Sequence, residues 1–473
     1  MGTAATSAPK TSAAASARGG WAFWAALAPT LAAIVGFGGV YSYVWVPVDV
    51  ALFIGLAVLL WLRLVANHRF VGHALLWPVA GFGVLALAQW RFRLSVYPGA
   101  TLTELVQLAA CAAVFYLTLH ACRNRHWIHR LGWILWLFCG MVTVEALFQI
   151  FDGNGFIYWF HDAGYATPVG PFVYHNFYAG CMDLLFPVTV AVAFRADSSG
   201  DPTWVAWLRR GLVPALCLVS VVVSRSRGGI LTLFAEVLLG LWVFWPDLKR
   251  KRGARRTLLL CVLVMLGVGL LANWGPLVQR FGYLDNHDAS VVQRLSIDQS
   301  SWHIFLDHPL VGTGFNTFSA VYPAYQLFDN GLVLLYAHNE YAQMLAETGM
   351  VGALNTLAFL VIWGWAFLRR RRRLDADEAL RNLQLAAFIG TAGFLIQSFG
   401  DFEFHAPGNA LLFFLLCAAA VVAPRGNSPA PDERARSRRR TADRPRPRPR
   451  LEPLDRRPPR EFARWDARGP RER

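Results

Sequence analysis

Charge is what this sequence has least of. Only 16% of its 473 residues are Asp, Glu, Lys or Arg, against about 25% in an ordinary soluble domain. Hydrophobic residues make up 55% and mean hydropathy is +0.37. The apolar residues stand in long blocks rather than in alternation, which excludes a large soluble enzyme. With 33 Phe and 19 Trp, most of the chain is too apolar for intrinsic disorder. Paired cysteines are lacking as well. Cys111, Cys122, Cys139, Cys181, Cys217, Cys261 and Cys417 form no C-x-x-C, and six lie inside apolar blocks, so they are expected as small core residues rather than disulfides or metal ligands. Metal-loop spacing is missing among Asp285, Asp288, Asp298 and Asp307; Asp401-Phe402-Glu403 is the one weak exception. No metal and no cofactor are expected.

What is present in abundance is membrane-spanning material. A hydrocarbon layer of about 30 Å needs roughly 20 apolar residues per helix. Suitable blocks are 21–41, 46–66, 72–90, 101–121, 131–151, 174–194, 208–223, 229–246, 257–275, 350–368, 383–400 and 409–423. Clusters of Lys and Arg follow every even-numbered block: Arg63 and Arg69, Arg123 to Arg130, Arg195 to Arg210, Lys249 to Arg256, Arg369 to Arg373, and the tail. Because Lys and Arg mark the cytoplasmic side, both termini are expected there. The chain divides into a cytoplasmic segment 1–20, a membrane domain 21–423 of about twelve spans, and a tail 424–473. From Arg425 the tail carries 17 Arg against 8 acids, net +9 of the total +15. Rich in Pro and Arg, it is expected to be a disordered cytoplasmic tail whose partner is anionic membrane lipid, not nucleic acid.

The segments after odd-numbered blocks then face outward, among them the long 276–349. Arg is expected to be scarce on that side, yet Arg91, Arg93, Arg225, Arg227, Arg280 and Arg294 all fall there. An anionic ligand, or pairing with nearby Asp, would account for them. Within 276–349, Trp302, Phe305 and Leu306 recur at helical spacing and the pattern stops at Pro309. Gly312-Thr-Gly314 reads as a turn. A helix through 337–349 would put His338 on a stripe with Tyr341, Ala342 and Leu345, opposite Glu340, Gln343 and Glu347. Gly349 would cap it. A His at a partly apolar outer surface is able to stay neutral and accept a proton.

Four segments carry a family likeness. They are His338-Asn339 followed by Gly349-x-x-Gly352; Arg294 through Trp302 to His308-Pro-Leu-Val-Gly-Thr-Gly314; Ser226-Arg-Gly-Gly229; and Gly170-Pro-Phe172 with His175-Asn176-Phe-Tyr-Ala179. In this order they resemble the O-antigen ligase and polymerase superfamily. The resemblance implies an all-α polytopic membrane glycosyltransferase of class-C-like architecture, with one large periplasmic loop and residence in the bacterial inner membrane. It implies a donor glycan on undecaprenyl diphosphate and an acceptor hydroxyl on lipid A core or a growing glycan. Carried over by position, His338 is the catalytic residue, and Arg227, Arg294 and Arg225 hold the donor diphosphate. Asn339, Gly349, Gly352 and Asn176 support them. His175 before Asn176, and two Arg in the 224–229 turn, depart in detail from the family pattern.

Ligase-type transfer to lipid A core is the preferred expectation, with a glycan polymerase or protein O-oligosaccharyltransferase as alternatives. The rival from another class is a twelve-span transporter using Glu145, Asp183 and Glu236, the carboxylates inside expected spans. No internal repeat supports it. The two predict different things: convergence of Arg227, Arg294 and His338 at the outer face, or a midplane path lined by three acids.

Overall fold

The computed structural model describes residues 10–164, 167–193, 211–250, 289–327, 334–372 and 377–424. These are almost wholly helical: α1 (Lys10–Val35), α2 (Ser42–Val65), α3 (Leu76–Arg91), α4 (Pro98–Ala121), α5 (Arg125–Asp152), α6 (His175–Ala193), α7 (Val213–Val223), α8 (Arg227–Arg250), α9 (Ala289–Asp307), the short α10 (Phe318–Val321), α11 (Glu340–Arg372), α12 (Glu378–Gln397) and α13 (Pro407–Val421). The two-residue strands β1 (Phe156–Ile157) and β2 (His161–Asp162) pair antiparallel. Every expected block except 257–275 coincides with a helix; that block and the tail from Arg425 lie outside the described residues.

Seven of these helices are long and apolar enough to cross a membrane, and α7, α13 and the 20–35 part of α1 are shorter apolar helices. The protein is therefore an all-α polytopic membrane protein. Helix α6 is buried almost along its whole length, and α12 and α13 nearly so, whereas α11 buries little. The outer helices instead expose Trp61, Trp77, Leu354, Val361 and Trp365, the surface expected to face hydrocarbon chains rather than water.

Local chemistry sets the helix ends. Asn124 caps α5 by accepting from His126 N at 3.0 Å, and Asp377 caps α12 by accepting from Leu380 N at 3.0 Å. Gly153, with φ +68°, closes α5 in the left-handed region. The starts of α2, α4, α6, α8, α11 and α13 gather at one end of the bundle with the ends of α1, α3, α5, α7 and α12. Gly39 beside Gly408 and Glu340 N on Ser398 O at 3.0 Å tie that end together.

Candidate functional site

At this end α11 begins, and its first turn departs from the sequence expectation. The helix starts at Glu340, so His338 precedes it, in the left-handed region at φ +56°. His338 is therefore not on a helical stripe with Tyr341, Ala342 and Leu345. Asn339 is the reason: its Oδ1 accepts from Tyr341 N at 3.1 Å and Ala342 N at 3.2 Å, capping the helix. The same side chain hydrogen-bonds Asp298 of α9. With Oδ1 taken by two amides, its NH2 is the donor. Burial raises Asp298 from its ordinary value, against the lowering influence of Asn339 and of Arg294. Arg294 thus stands in the field of Asp298, one of the pairing partners anticipated for the outward Arg.

Arg294 also acts on Tyr174, which precedes α6 and stacks on Phe402. Burial raises the Tyr174 hydroxyl, Asp401 raises it further, and Arg294 works against both. Asp401 is buried at 3% exposure, and its Oδ1 lies 3.6 Å from Nδ1 of His338. That is longer than a hydrogen bond. The carboxylate is held by the Phe402 amide at 3.0 Å and by the Asn176 NH2, whose group also donates to Tyr174 OH at 2.9 Å. Phe402 backs the imidazole edge-on at 4.7 Å and stacks on Tyr174 and Tyr336. His338, Asn339, Asn176 and Arg294 therefore share one neighbourhood, and its centre is Asp401.

The Ser226-Arg-Gly-Gly turn reaches the same end. Ser226 Oγ accepts from Gly229 N at 3.1 Å and starts α8 at Arg227. A Cβ on Gly229 would stand 2.5 Å from that of Ala179, and one on Gly228 3.6 Å from Gln397. Gln397 in turn donates to the Asn176 carbonyl at 3.3 Å and to Glu403 at 2.8 Å. Arg227 is half-buried, while Arg225, with φ +63°, is exposed.

Gly349 and Gly352 hold the frame rather than a ligand. Gly349 breaks α11 at φ +60° and ψ −157°, so the expected cap is a kink within one continuous helix. At the kink Met350 N bonds Pro309 O at 2.8 Å and Val351 N bonds Leu310 O at 3.1 Å. From the other side Thr313 N reaches Ala346 O and Gly314 N reaches Glu347 O at 2.9 Å. A Cβ on Gly349 would meet the Leu310 carbonyl at 2.5 Å, and one on Gly312 the Glu347 carbon at 2.2 Å. Gly352 would push its own Cβ into Thr348. Buried Glu347 completes the clasp, accepting from Asn316 N at 2.8 Å and Phe318 N at 2.9 Å. The Gly312-Thr-Gly314 turn is thus a backbone seam.

Two further readings are adjusted. On α9 the buried side is Ile297, Ser300, Ser301, Ile304 and Phe305, while Trp302 and Leu306 are half-exposed, so the stripe predicted from Trp302, Phe305 and Leu306 is only partly the buried one. Glu145, Asp183 and Glu236 do not form one line. Asp183 and Glu236 interact with each other, whereas Glu145 lies beside Gly170 and acts on Tyr158. Asp401 and Glu403 serve His338 and Gln397 respectively. Among the described residues no three His, Cys, Asp or Glu stand close enough to hold a metal ion.

A helical membrane protein with an imidazole, a buried carboxylate and arginines gathered at one end of the bundle has the parts of a transferase acting at a membrane surface. Residues 212–357 match the O-antigen ligase family model, the family that the four sequence segments resemble. The match includes Arg225, Arg227, Arg294, His338, Asn339, Gly349 and Gly352; Asn176 and Asp401 lie outside it. No curated protein matches the chain.

Proposed function

We propose that this protein transfers a glycan from undecaprenyl diphosphate to an acceptor hydroxyl at the periplasmic face of the inner membrane, with lipid A core as the preferred acceptor. The class-C-like architecture, the count of about twelve spans and the cytoplasmic termini belong to this reading. The observation that supports it is the approach of His338, within the segment that matches the ligase family, to Asp401 outside it, with Arg294 and Asp401 both acting on Tyr174.

In this reading His338 is the general base. Nδ1 faces Asp401, which leaves Nε2 to take the proton of the acceptor hydroxyl as its oxygen attacks the anomeric carbon. The carbon–phosphate oxygen bond breaks on the opposite face, giving inversion. Negative charge gathers on the departing diphosphate, where Arg294 and Arg227 supply paired N–H donors. Asp401 acts through His338, stabilising the imidazolium once the proton has moved. Asn176 and Asn339 position the two.

The test is glycan transfer in reconstituted vesicles with undecaprenyl diphosphate glycan as donor, and lipid A core and free glycan as separate acceptors. His338→Ala is expected to lower turnover by about 10²–10⁴, the usual share of a general base. A folded His338→Ala protein with wild-type turnover overturns the reading. Elongation of free glycan alone would make the enzyme a polymerase.

A further inference from the structure

On the bundle side of Glu340, next to the site around His338, the membrane domain contains an open cavity that reaches α2, α3, α4, α11, α12 and α13. Among the described residues, four carboxylates line it (Asp49, Glu104, Glu340, Glu347) with one imidazole, His405, and no Lys or Arg. Two of the acids are already engaged. Glu347 is spent on the amides of Asn316 and Phe318, and Glu340 accepts from Phe404 N at 2.8 Å and pairs with His405 at 3.3 Å. Gln343 is also consumed, bonding Glu347, His405 and Ala337.

Asp49 of α2 remains, with Glu104 of α4, which makes no hydrogen bond among the described residues and shares the field of His405 with Glu340 and Glu347. Asp49 is 4% exposed and its Oδ2 has no hydrogen-bond partner among the described residues. Both acids line the cavity, and Asp49 lies within the field of Glu104. Two carboxylates inside a membrane domain either keep their protons or share a cation, and a cation that enters between them gains both charges at once. The rest of the wall is chiefly apolar, with Phe82, Phe359, Phe404 and Phe413 prominent. Aromatic faces attract organic cations as well as apolar bodies. A diphosphate would be repelled here by the carboxylates. The spread of the acids, with no three close enough for a metal ion, suits a larger and diffuse charge.

We propose that this cavity binds an organic cation with an apolar body, its charge held between Asp49 and Glu104. The site is independent of the glycan-transfer reading, and its test uses no glycan.

Radiolabelled tetraphenylphosphonium is the probe, with the full chain in nanodiscs of neutral lipid and empty nanodiscs as the blank. Saturable binding at one site per chain is expected. Asp49→Asn and Glu104→Gln are each expected to weaken it about tenfold, as loss of one charge partner does to a binding constant when about 1.4 kcal/mol is removed. Spermidine, a cation without an apolar body, is expected to compete poorly. Melting temperatures of both variants are measured alongside, and Glu104→Gln, at a half-buried position, carries the test if Asp49→Asn does not fold. Absence of saturable binding overturns the proposal, as does wild-type affinity in the folded variants. Spermidine competing as well as the unlabelled probe also overturns it.

Discussion

Replacing Asp401 with Asn tests the pairing at the proposed site most directly. The substitution keeps the shape of the side chain and removes its charge. At 3.6 Å, a carboxylate and an imidazolium attract by about 4–5 kcal/mol at an effective dielectric constant of about 20. The His338 side chain is 25% exposed, and water there reduces this by roughly half, leaving about 2 kcal/mol or about 30-fold in turnover. The attraction exists only after His338 has taken the proton, so the loss should fall on kcat with KM little changed. The decisive assay is a double-mutant cycle in the vesicle transfer reaction. Because Asp401 acts through the imidazole, Asp401→Asn should cost nothing further in a His338→Ala background. Full additivity of the two losses, or an undiminished kcat in Asp401→Asn, would refute the coupling.

Gly349→Ala is expected to destabilise the protein by about 3 kcal/mol or more, since its backbone lies where only glycine is at ease and its Cβ would meet the Leu310 carbonyl at 2.5 Å. Gly364→Ala, on the same helix with open space around it, should instead stabilise by about 0.5–1 kcal/mol; comparing the two by thermal unfolding checks both. Arg294→Ala should lower kcat/KM for the lipid-linked donor by about 10² or more, with Arg294→Lys recovering only part, because an ammonium lacks the forked donors. Arg227→Ala should cost more than Arg225→Ala, as the 227–229 turn packs against Ala179 and Gln397; equal effects would place the phosphate elsewhere. Burial lowers His405, but Glu340, with Glu104 and Glu347 behind it, pushes it up to about 9. The stability this contributes is complete below the unfolded value near 6.5 and is lost as pH rises through about 9. His405→Gln should flatten the decline in melting temperature between those values.

The helices were legible because a span announces itself by composition and length, and the outward Arg stood out against the charge bias. Gly349 was legible as a break, since glycine near the end of a periodic stretch has few other uses. What could not be read was the conformation of His338. The local pattern favours continuing the helix through it, but Asn339 takes the cap one residue before Glu340, and nothing in the order of residues states which polar residue wins. Asp401 stayed hidden for a different reason: its link to His338 spans 63 positions and runs through Asn176, so it exists only once α6, α11 and α12 are packed. A signal was nevertheless present. Asp401-Phe402-Glu403 is an acidic island between two apolar blocks, and it was weighed for a metal rather than as a partner for a base. The polar face of Glu340, Gln343 and Glu347 was correctly grouped, yet it points into the bundle because each member has buried amides or an imidazole to satisfy.

The seam at Gly349 has a consequence for how freely this region tolerates change. Its bonds run between backbone amides and carbonyls of 309–314 and 346–351, so the Leu310 side chain carries none of the join, whereas Val311 packs against Leu85, Ala86 and Phe315. Leu310 is 71% exposed. A library randomised at Leu310 should retain the helix break and the placement of His338, while one randomised at Gly312 or Gly349 should not. The exposed tip of the turn is thereby separable from the backbone scaffold that sets the start and kink of α11.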